Sequence, residues 1–214
     1  MTITVDALAN RHPISPLIYG VAGATTAQLQ DLNVPANRFG GNNTTRYNWQ
    51  LNADNRANDW YFESLPYSSA VPGEVADTFV ASARAASAEP LLTIPTIGWI
   101  AKLGPNRGRL ASFSIAKYGA QTARDAQWFG DAGNGISSAT GKPITGNDPN
   151  DASVLVDAAF QQSWVRHLTN RWGLAASGGL RYYILDNEPS IWHSTHRDVH
   201  PAGASMEEVR DRLL

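Results

Sequence analysis

The chain has 214 residues, 43% of them hydrophobic and 17% charged, and its formal net charge is −2. This length accommodates one domain with a sizeable core. The balance of 17 basic against 19 acidic residues excludes a protein that binds nucleic acid or anionic lipid through charge. The absence of cysteine excludes disulfides, cysteine-ligated zinc and thiol catalysis. A weakly charged, polar chain with seven tryptophans is instead suited to a neutral, hydroxyl-rich ligand.

Strand patterns alternate with helical patterns, which predicts an α/β fold with a parallel sheet. Sites in such folds are built from the loops beyond strand C-termini. No run of 18 apolar residues occurs, and the chain start lacks the basic and apolar segments of a signal peptide. In chain order we predict a strand at 2–5, a strand at 17–21, a helix at 25–32, a strand at 35–39, a loop to about 73, a helix at 74–88, a strand at 91–95, a loop at 99–150, a helix at 152–172, a strand at 180–185 and a helix at 205–214.

A carboxylate stands where the last predicted strand ends, in the sequence Asp186-Asn187-Glu188-Pro189. Glu188 would point from the strand end into a cleft, where partial desolvation would favour the protonated form that a general acid needs. Asn187 beside it is suited to hold a sugar hydroxyl. The structural alternative is that Glu188 lies at the N-terminus of a following helix and only stabilises it.

The loop after the second sheet strand is rich in amides and aromatic side chains. Amides bind hydroxyl groups without recruiting ions, and flat rings face the apolar side of pyranose sugars. Residues 42–60 therefore predict a glycan cleft, with an ordinary polar loop as the alternative. Trp99 and Trp192 each follow a strand end and are placed to add subsites. The side chains of the 42–60 set are Asn42, Asn43, Asn48, Asn52, Asn55, Asn58, Trp49 and Trp60.

Three other tryptophans are predicted to lie in the core. Trp164 and Trp172 share one face of the long predicted helix with Phe160 and Leu168, since these residues are spaced four apart. Trp128 is assigned to the core with them.

His193, His196 and His200 are spaced so that a helix would bring them to one face, which raises the hypothesis of a zinc hydrolase. The prolines on both sides of this segment favour a loop instead.

Three blocks of the chain, taken together, resemble glycoside hydrolase family 44. They are RFGGNNTTRYNW at 38–49, GDAGNG with ITGNDPND within 130–151, and DNEPSIWHSTHRDVHP at 186–201. The resemblance covers essentially the whole chain. It implies a TIM-like (β/α)8 barrel with an accessory β-sandwich, and a retaining endo-β-1,4-glucanase or xyloglucanase activity.

This resemblance also divides the chain. Residues 1–12 would contribute a strand to the accessory β-sandwich, and residues 13–214 would form the N-terminal half of the barrel, with about four βα units. A complete barrel needs eight strands in roughly 250 residues. The chain is therefore expected to be truncated.

The resemblance implies roles for particular residues. Glu188 is the implied general acid and base, Arg38 lies close to the nucleophile, and Asn187 contacts the sugar at the cleavage subsite. The nucleophile, a glutamate after strand seven, is not found in this chain. Three further residues of the matching blocks are expected beside the substrate: Arg46, His193 and His196.

Asp148 and Asp151 offer hard oxygen ligands suited to calcium, and the resemblance implies a structural calcium ion. The alternative is that Asp151 simply caps the helix that follows. No cofactor is expected to be needed for catalysis.

The leading hypothesis is a retaining, endo-acting hydrolase of β-1,4-glucans such as cellulose, carboxymethylcellulose and xyloglucan. A retaining mechanism needs two carboxyl groups about 5–5.5 Å apart. Because only the acid/base half is present, we expect these 214 residues alone to be inactive. The alternative is a non-catalytic carbohydrate-binding module. We expect a β-glucan partner, no nucleic acid, no membrane, a monomer and, through the resemblance, a secreted parent protein.

Overall fold

The computed structural model describes residues 2–6 and 8–214. A four-stranded parallel sheet carries the helices, and the α/β prediction is confirmed. The strands are β1 Gly20–Ala22, β2 Ala36–Phe39, β3 Ala53–Asn55, β4 Glu63–Pro66, β5 Glu89–Ile94, β6 Trp99–Ala101, β7 Leu110–Ala111, β8 Ser153–Leu155 and β9 Tyr182–Leu185. The α-helices are α1 Thr26–Leu32, α2 Asn42–Thr45, α3 Glu74–Ala85, α4 Ile115–Tyr118, α5 Ala158–Trp172, α6 Trp192–Thr195 and α7 Met206–Leu213.

The parallel sheet has the strand order β1-β2-β5-β9, so each new strand is added beside the previous one. The pairing aligns Arg38 of β2 with Leu91 of β5, and Ile94 of β5 with Leu185 of β9. Parallel strands all end at the same edge of a sheet. The residues that follow β2, β5 and β9 therefore meet at one edge.

The main core lies between this sheet and the helices α3 and α5. Trp164 and Leu168 of α5 are buried against Val80 of α3 and Leu92 of β5, as the four-residue spacing predicts. Trp172 packs against the same cluster, so the core assignment of Trp164 and Trp172 is confirmed.

The two long loops are more structured than predicted. They contain an antiparallel sheet of β3, β4 and β7 and a second antiparallel pair of β6 and β8. These strands have only two to four residues, too few to show an alternating pattern. The helix predicted at 152–172 begins only at Ala158, because Ser153–Leu155 pairs with β6 and the Asp157 side chain accepts a hydrogen bond from the Phe160 N–H at 3.0 Å.

Residues 2–5 are exposed and have no regular secondary structure, so the strand predicted there is not found. A strand needs a hydrogen-bonded partner, and none of the described residues pairs with this segment. Within residues 2–6 and 8–214, no helix is long and apolar enough to cross a membrane.

Candidate active site

A cavity of about 460 Å³ opens at the carboxyl edge of the parallel sheet. The end of β2 contributes Arg38, and the turn after β9 contributes Asp186, Asn187 and Glu188. Asn42 and Asp59 of the loop after β2 close the other side.

Asp186 fixes the base of this site. It is buried, and one of its oxygens accepts hydrogen bonds from the Thr96 N–H at 2.5 Å and the Ile97 N–H at 2.9 Å, just after β5. The other accepts from the Thr45 hydroxyl at 2.5 Å and the Asn187 N–H at 2.7 Å. Burial raises the pKa of the Asp186 carboxyl, and these hydrogen bonds oppose that rise. Asp186 thus ties the end of β9 to the end of β5 and to α2.

The turn that carries Glu188 has an unusual backbone. Asp186 has a φ of 65° and Glu188 a φ of 47°, both in the left-handed region that favours glycine. Asn187 between them is buried, and its backbone oxygen accepts a hydrogen bond from the Trp192 indole at 3.1 Å. Glu188 itself is exposed, so the desolvation predicted at this strand end is not found in the structure.

A chain of amide hydrogen bonds links Glu188 to the loop wall. The Asn187 side-chain amide donates to Oε2 of Glu188 and to Oδ1 of Asn42, both at 3.2 Å. The Asn42 amide in turn donates to both oxygens of Asp59 at 3.1 Å. At the other end, Arg38 donates to Oδ1 of Asn187. Because a carboxylate only accepts and a guanidinium only donates, the two ends fix which way both amides point.

The structure therefore brings together four residues singled out in the sequence: Arg38, Asn42, Asn187 and Glu188. Sequence reasoning missed Asp59, although it lies inside the amide-rich 42–60 stretch. The Asp59 carboxylate reaches Asn42 because the antiparallel pairing of β3 with β4 folds the loop back. That pairing leaves no pattern in the sequence.

A second cavity, of about 500 Å³, lies next to the first and shares Asp59 with it. The indoles of Trp60 and Trp128 meet there with ring centroids 5.2 Å apart. Trp60 thus lines a cavity, although its role in binding stays a prediction. Trp128 is 58% exposed, which corrects its assignment to the core.

The family model for glycoside hydrolase family 44 matches residues 53–214 of this chain. The chain belongs to this family. It is 30% identical, over 99% of its own length and 15% of the relative, to the Beta-mannanase/endoglucanase A of Caldicellulosiruptor saccharolyticus.

Solved structures agree with this assignment. The metagenomic CelM2, a bifunctional glucanase-xylanase, is 66% identical with a TM-score of 0.92, over 95% of this chain and 39% of CelM2. A family 44 xyloglucanase from Paenibacillus polymyxa, solved with xyloglucan, is 25% identical with a TM-score of 0.62, over 94% of this chain and 37% of the xyloglucanase. The chain thus spans well under half the length of these relatives.

In this family 44 chain, three residues predicted to touch substrate lie in the protein interior. Arg46 is fully buried, pairs with Asp198 at 3.2 Å and donates to Ser153. Trp192 is also fully buried and packs with Ile97 and Val199. His196 completes the set, with an exposed fraction of zero. These three side chains line neither the Glu188 cavity nor the one next to it, so they support the site loops instead.

Two further tryptophans take different positions from those expected. Trp49 stacks on Trp164 at 5.6 Å and an interplanar angle of 20°, as part of the main core. Trp99 is half-buried against the Ile97 and Trp192 cluster and does not line the Glu188 cavity. Neither residue lines that cavity.

The described residues do not gather the three histidines into a metal-binding group. His193 is exposed, and His200 pairs with Glu208 at 2.9 Å. Burial lowers the pKa of His196 to about 3, so this ring is neutral and solvent-inaccessible. The zinc hypothesis therefore lacks a ligand set in the described part of the chain.

The two aspartates proposed for calcium have other partners. Asp151 accepts hydrogen bonds from the Lys117 ammonium at 2.6 Å and the Tyr118 hydroxyl at 2.6 Å. Asp148 accepts from the Asn150 N–H at 2.9 Å. Asp151 does not cap α5, since that helix is capped by Asp157. A calcium site at these residues stays a prediction.

A pair of buried carboxyl groups lies under the second cavity. Burial and the neighbouring Asp125 raise the pKa of Glu63 to about 7. Asp125 accepts hydrogen bonds from the backbone N–H groups of Gln127, Trp128 and Phe129, and the pKa of Asp125 is about 2. Below about pH 7 the pair therefore holds one proton, on Glu63. Glu63 serves the packing of this loop and does not line the Glu188 cavity.

Proposed function

We propose that Glu188 is the general acid and base of a retaining, endo-acting hydrolase of β-1,4-glucans. The observation that carries this is the meeting of Glu188, Asn187 and Arg38 in one cavity at the carboxyl edge of the parallel sheet of a family 44 chain. That edge is where α/β barrels carry their catalytic groups.

In the proposed reaction, protonated Glu188 gives its proton to the departing glycosidic oxygen, and its carboxylate later takes a proton from the attacking water. The Asn187 amide, held between Arg38 and Asn42, keeps the Glu188 carboxyl oriented and offers a polar contact for a sugar hydroxyl. The other carboxylate of a double displacement would attack the anomeric carbon from the opposite face.

The described residues that line the cavity include no glutamate besides Glu188. We therefore propose that the nucleophile comes from the remainder of a longer protein, and that these 214 residues alone bind glucan without cleaving it.

We also propose that residues 13–214 form half of a (β/α)8 barrel, and that residues 1–12 contribute a strand to an accessory sandwich. The outer edges of β1 and β9 have no paired strand among the described residues, and Leu185 at the β9 edge is 47% exposed. A closed barrel would cover both edges. A structural calcium ion, secretion and a monomeric state of the whole protein are part of the same proposal.

A carbohydrate-binding module is the second candidate, and the presence of a single glutamate in the cavity favours it. The two candidates differ in one expected result. A binding module would bind glucan but would not restore activity as part of a hydrolase.

The test is a chimera in which this chain replaces the matching segment of CelM2. We expect it to release reducing sugar from carboxymethylcellulose and xyloglucan, and Glu188→Gln to lower that rate by about 10² to 10⁴-fold, the usual loss for a general acid. Glu89→Gln is the matched control, because Glu89 lies at the opposite end of the sheet and pairs with Arg181. Equal rates for the two variants would remove Glu188 from its role.

A further inference from the structure

The second cavity combines an aromatic floor with two arginines. We call it the Trp60–Trp128 cavity; Arg56 and Arg109 line it together with Asp59 and the two indoles. The indoles lie at 48° to each other, and the Trp128 ring is mostly exposed. An exposed indole beside a half-buried one offers the apolar surface on which a pyranose ring packs.

In the described residues, each of the two guanidinium groups keeps N–H groups that donate to no protein acceptor. Nε of Arg56 lies 2.9 Å from Asp54, and Nη1 of Arg109 lies 2.9 Å from Glu63. Within residues 2–6 and 8–214, the two Nη groups of Arg56 and the Nε and Nη2 groups of Arg109 donate to no protein acceptor. The side chains are 36% and 31% exposed, so these edges are open to the cavity. Such paired N–H edges match the two oxygens of a carboxylate.

The acidic partners of the two arginines do not line the cavity. Asp54 and Glu63 are buried, and each lies against the inner side of one guanidinium group, which leaves the outer N–H edge of that group facing the cavity. The Asp125 carboxylate is held by three backbone N–H groups. Asp59 is the exposed acid, and both of its oxygens accept from Asn42 on the wall shared with the Glu188 cavity.

We propose that the Trp60–Trp128 cavity is a subsite for an acidic sugar unit, whose ring packs on the indoles and whose carboxylate is bound by Arg56 and Arg109. The inference rests on the proposed function in one respect. Because the two cavities share Asp59, the acidic sugar unit belongs to the same glycan chain that passes Glu188. The ligand class is a β-1,4-linked oligosaccharide that carries a uronic acid.

The test is calorimetric titration of the 214-residue chain with cellotetraose and with its analogue that contains one glucuronic acid unit. We expect the acidic ligand to bind at least fivefold more tightly at low salt, and the preference to shrink at 0.5 M salt because an exposed ion pair is screened. Equal affinity for the two ligands, or no binding of the acidic one, would overturn the proposal.

Substitutions test which residues cause the preference for the acidic ligand. Arg56→Gln and Arg109→Gln should each reduce the preference for the acidic ligand to less than twofold. Trp128→Ala should weaken both ligands. Arg84→Gln is the control, since Arg84 lies over Trp172, outside this cavity. Arg56→Lys keeps the charge but loses the paired N–H groups of the guanidinium. If both Arg56→Lys and Arg109→Gln keep the preference for the acidic ligand, bidentate binding of its carboxylate is contradicted. These titrations need no catalysis, so they are independent of the Glu188→Gln result in the chimera.

Discussion

Glu188 occupies a backbone conformation that an ordinary glutamate avoids. Its φ of 47° and the φ of 65° at Asp186 are maintained by the hydrogen bonds that hold Asp186 to the ends of β5 and α2. Residues in the left-handed region lose stability relative to glycine. A group kept there at a cost to the fold is consistent with the role that we propose for it.

This arrangement predicts a gain in stability when function is removed. Glu188→Gly should raise the free energy of unfolding by about 1 kcal/mol, because glycine adopts the left-handed region without strain. Glu188→Gln keeps the strain and should leave stability nearly unchanged. Urea unfolding of both variants measures the difference, and a destabilised glycine variant would show that the turn is not strained.

Gly40 leaves room for Arg38. A Cβ built on Gly40 would collide with Nε of Arg38, so any larger residue pushes the guanidinium away from Asn187. Gly40→Ala should therefore lower the affinity for cellotetraose by at least fivefold while the melting temperature changes little, since the side chain can move. Gly203→Ala is the control for adding a methyl group without a clash, since the nearest atom to its Cβ would lie 3.9 Å away. A normal affinity in Gly40→Ala would show that Arg38 is not needed where it lies.

At the scale of elements, α5 determines the core and the long loops determine the site. The four-residue spacing of large apolar residues predicted the buried face of α5, because a helix packs through one stripe. The start of α5 could not be predicted, since Ser153–Leu155 is drawn into a strand by its partner β6. Secondary structure set by pairing between distant segments leaves little trace in a local sequence pattern.

Two tryptophans should respond differently to truncation. Trp164→Ala should cost about 3–5 kcal/mol, as for other large core residues, because this indole is buried among Tyr47, Trp49 and Leu168. Trp128→Ala should change stability by less than about 0.5 kcal/mol, since its ring is mostly exposed. Denaturant unfolding of the two variants compares them directly, and similar losses would contradict the assigned positions.

Glu63, at the start of β4, makes stability depend on pH. Its pKa is about 7 in the folded chain and near 4.5 when unfolded, so the folded state holds a proton that the unfolded state releases between these values. The contribution of Glu63 to stability therefore falls as the pH rises from about 4.5 to 7, and its full cost is present above pH 7. Glu63→Gln should reduce the loss of melting temperature between pH 5 and pH 8, whereas Glu89→Gln should not. An unchanged loss in Glu63→Gln would place the titration elsewhere.

At the scale of the whole molecule, the sequence predicted the class of fold and the residues at the strand ends. Glu188 could be found from its position at a strand end, and Arg38 through the family resemblance; parallel strands bring both residues to one edge. Arg46 and His196 were misplaced, because whether a polar side chain near the site lies inside or outside depends on packing between loops. For the same reason, Asp59 was missed and Trp128 was assigned to the core.

The most direct test of Glu188 compares two leaving groups in the CelM2 chimera. A general acid matters for a sugar leaving group, which needs a proton, and much less for dinitrophenolate, which does not. For Glu188→Gln we expect the first-step rate on glucan to fall at least 10²-fold, while the burst on a 2,4-dinitrophenyl cello-oligosaccharide stays within a few fold of the unsubstituted chimera. Equal losses on both substrates, or no loss on either, would contradict the assignment of Glu188.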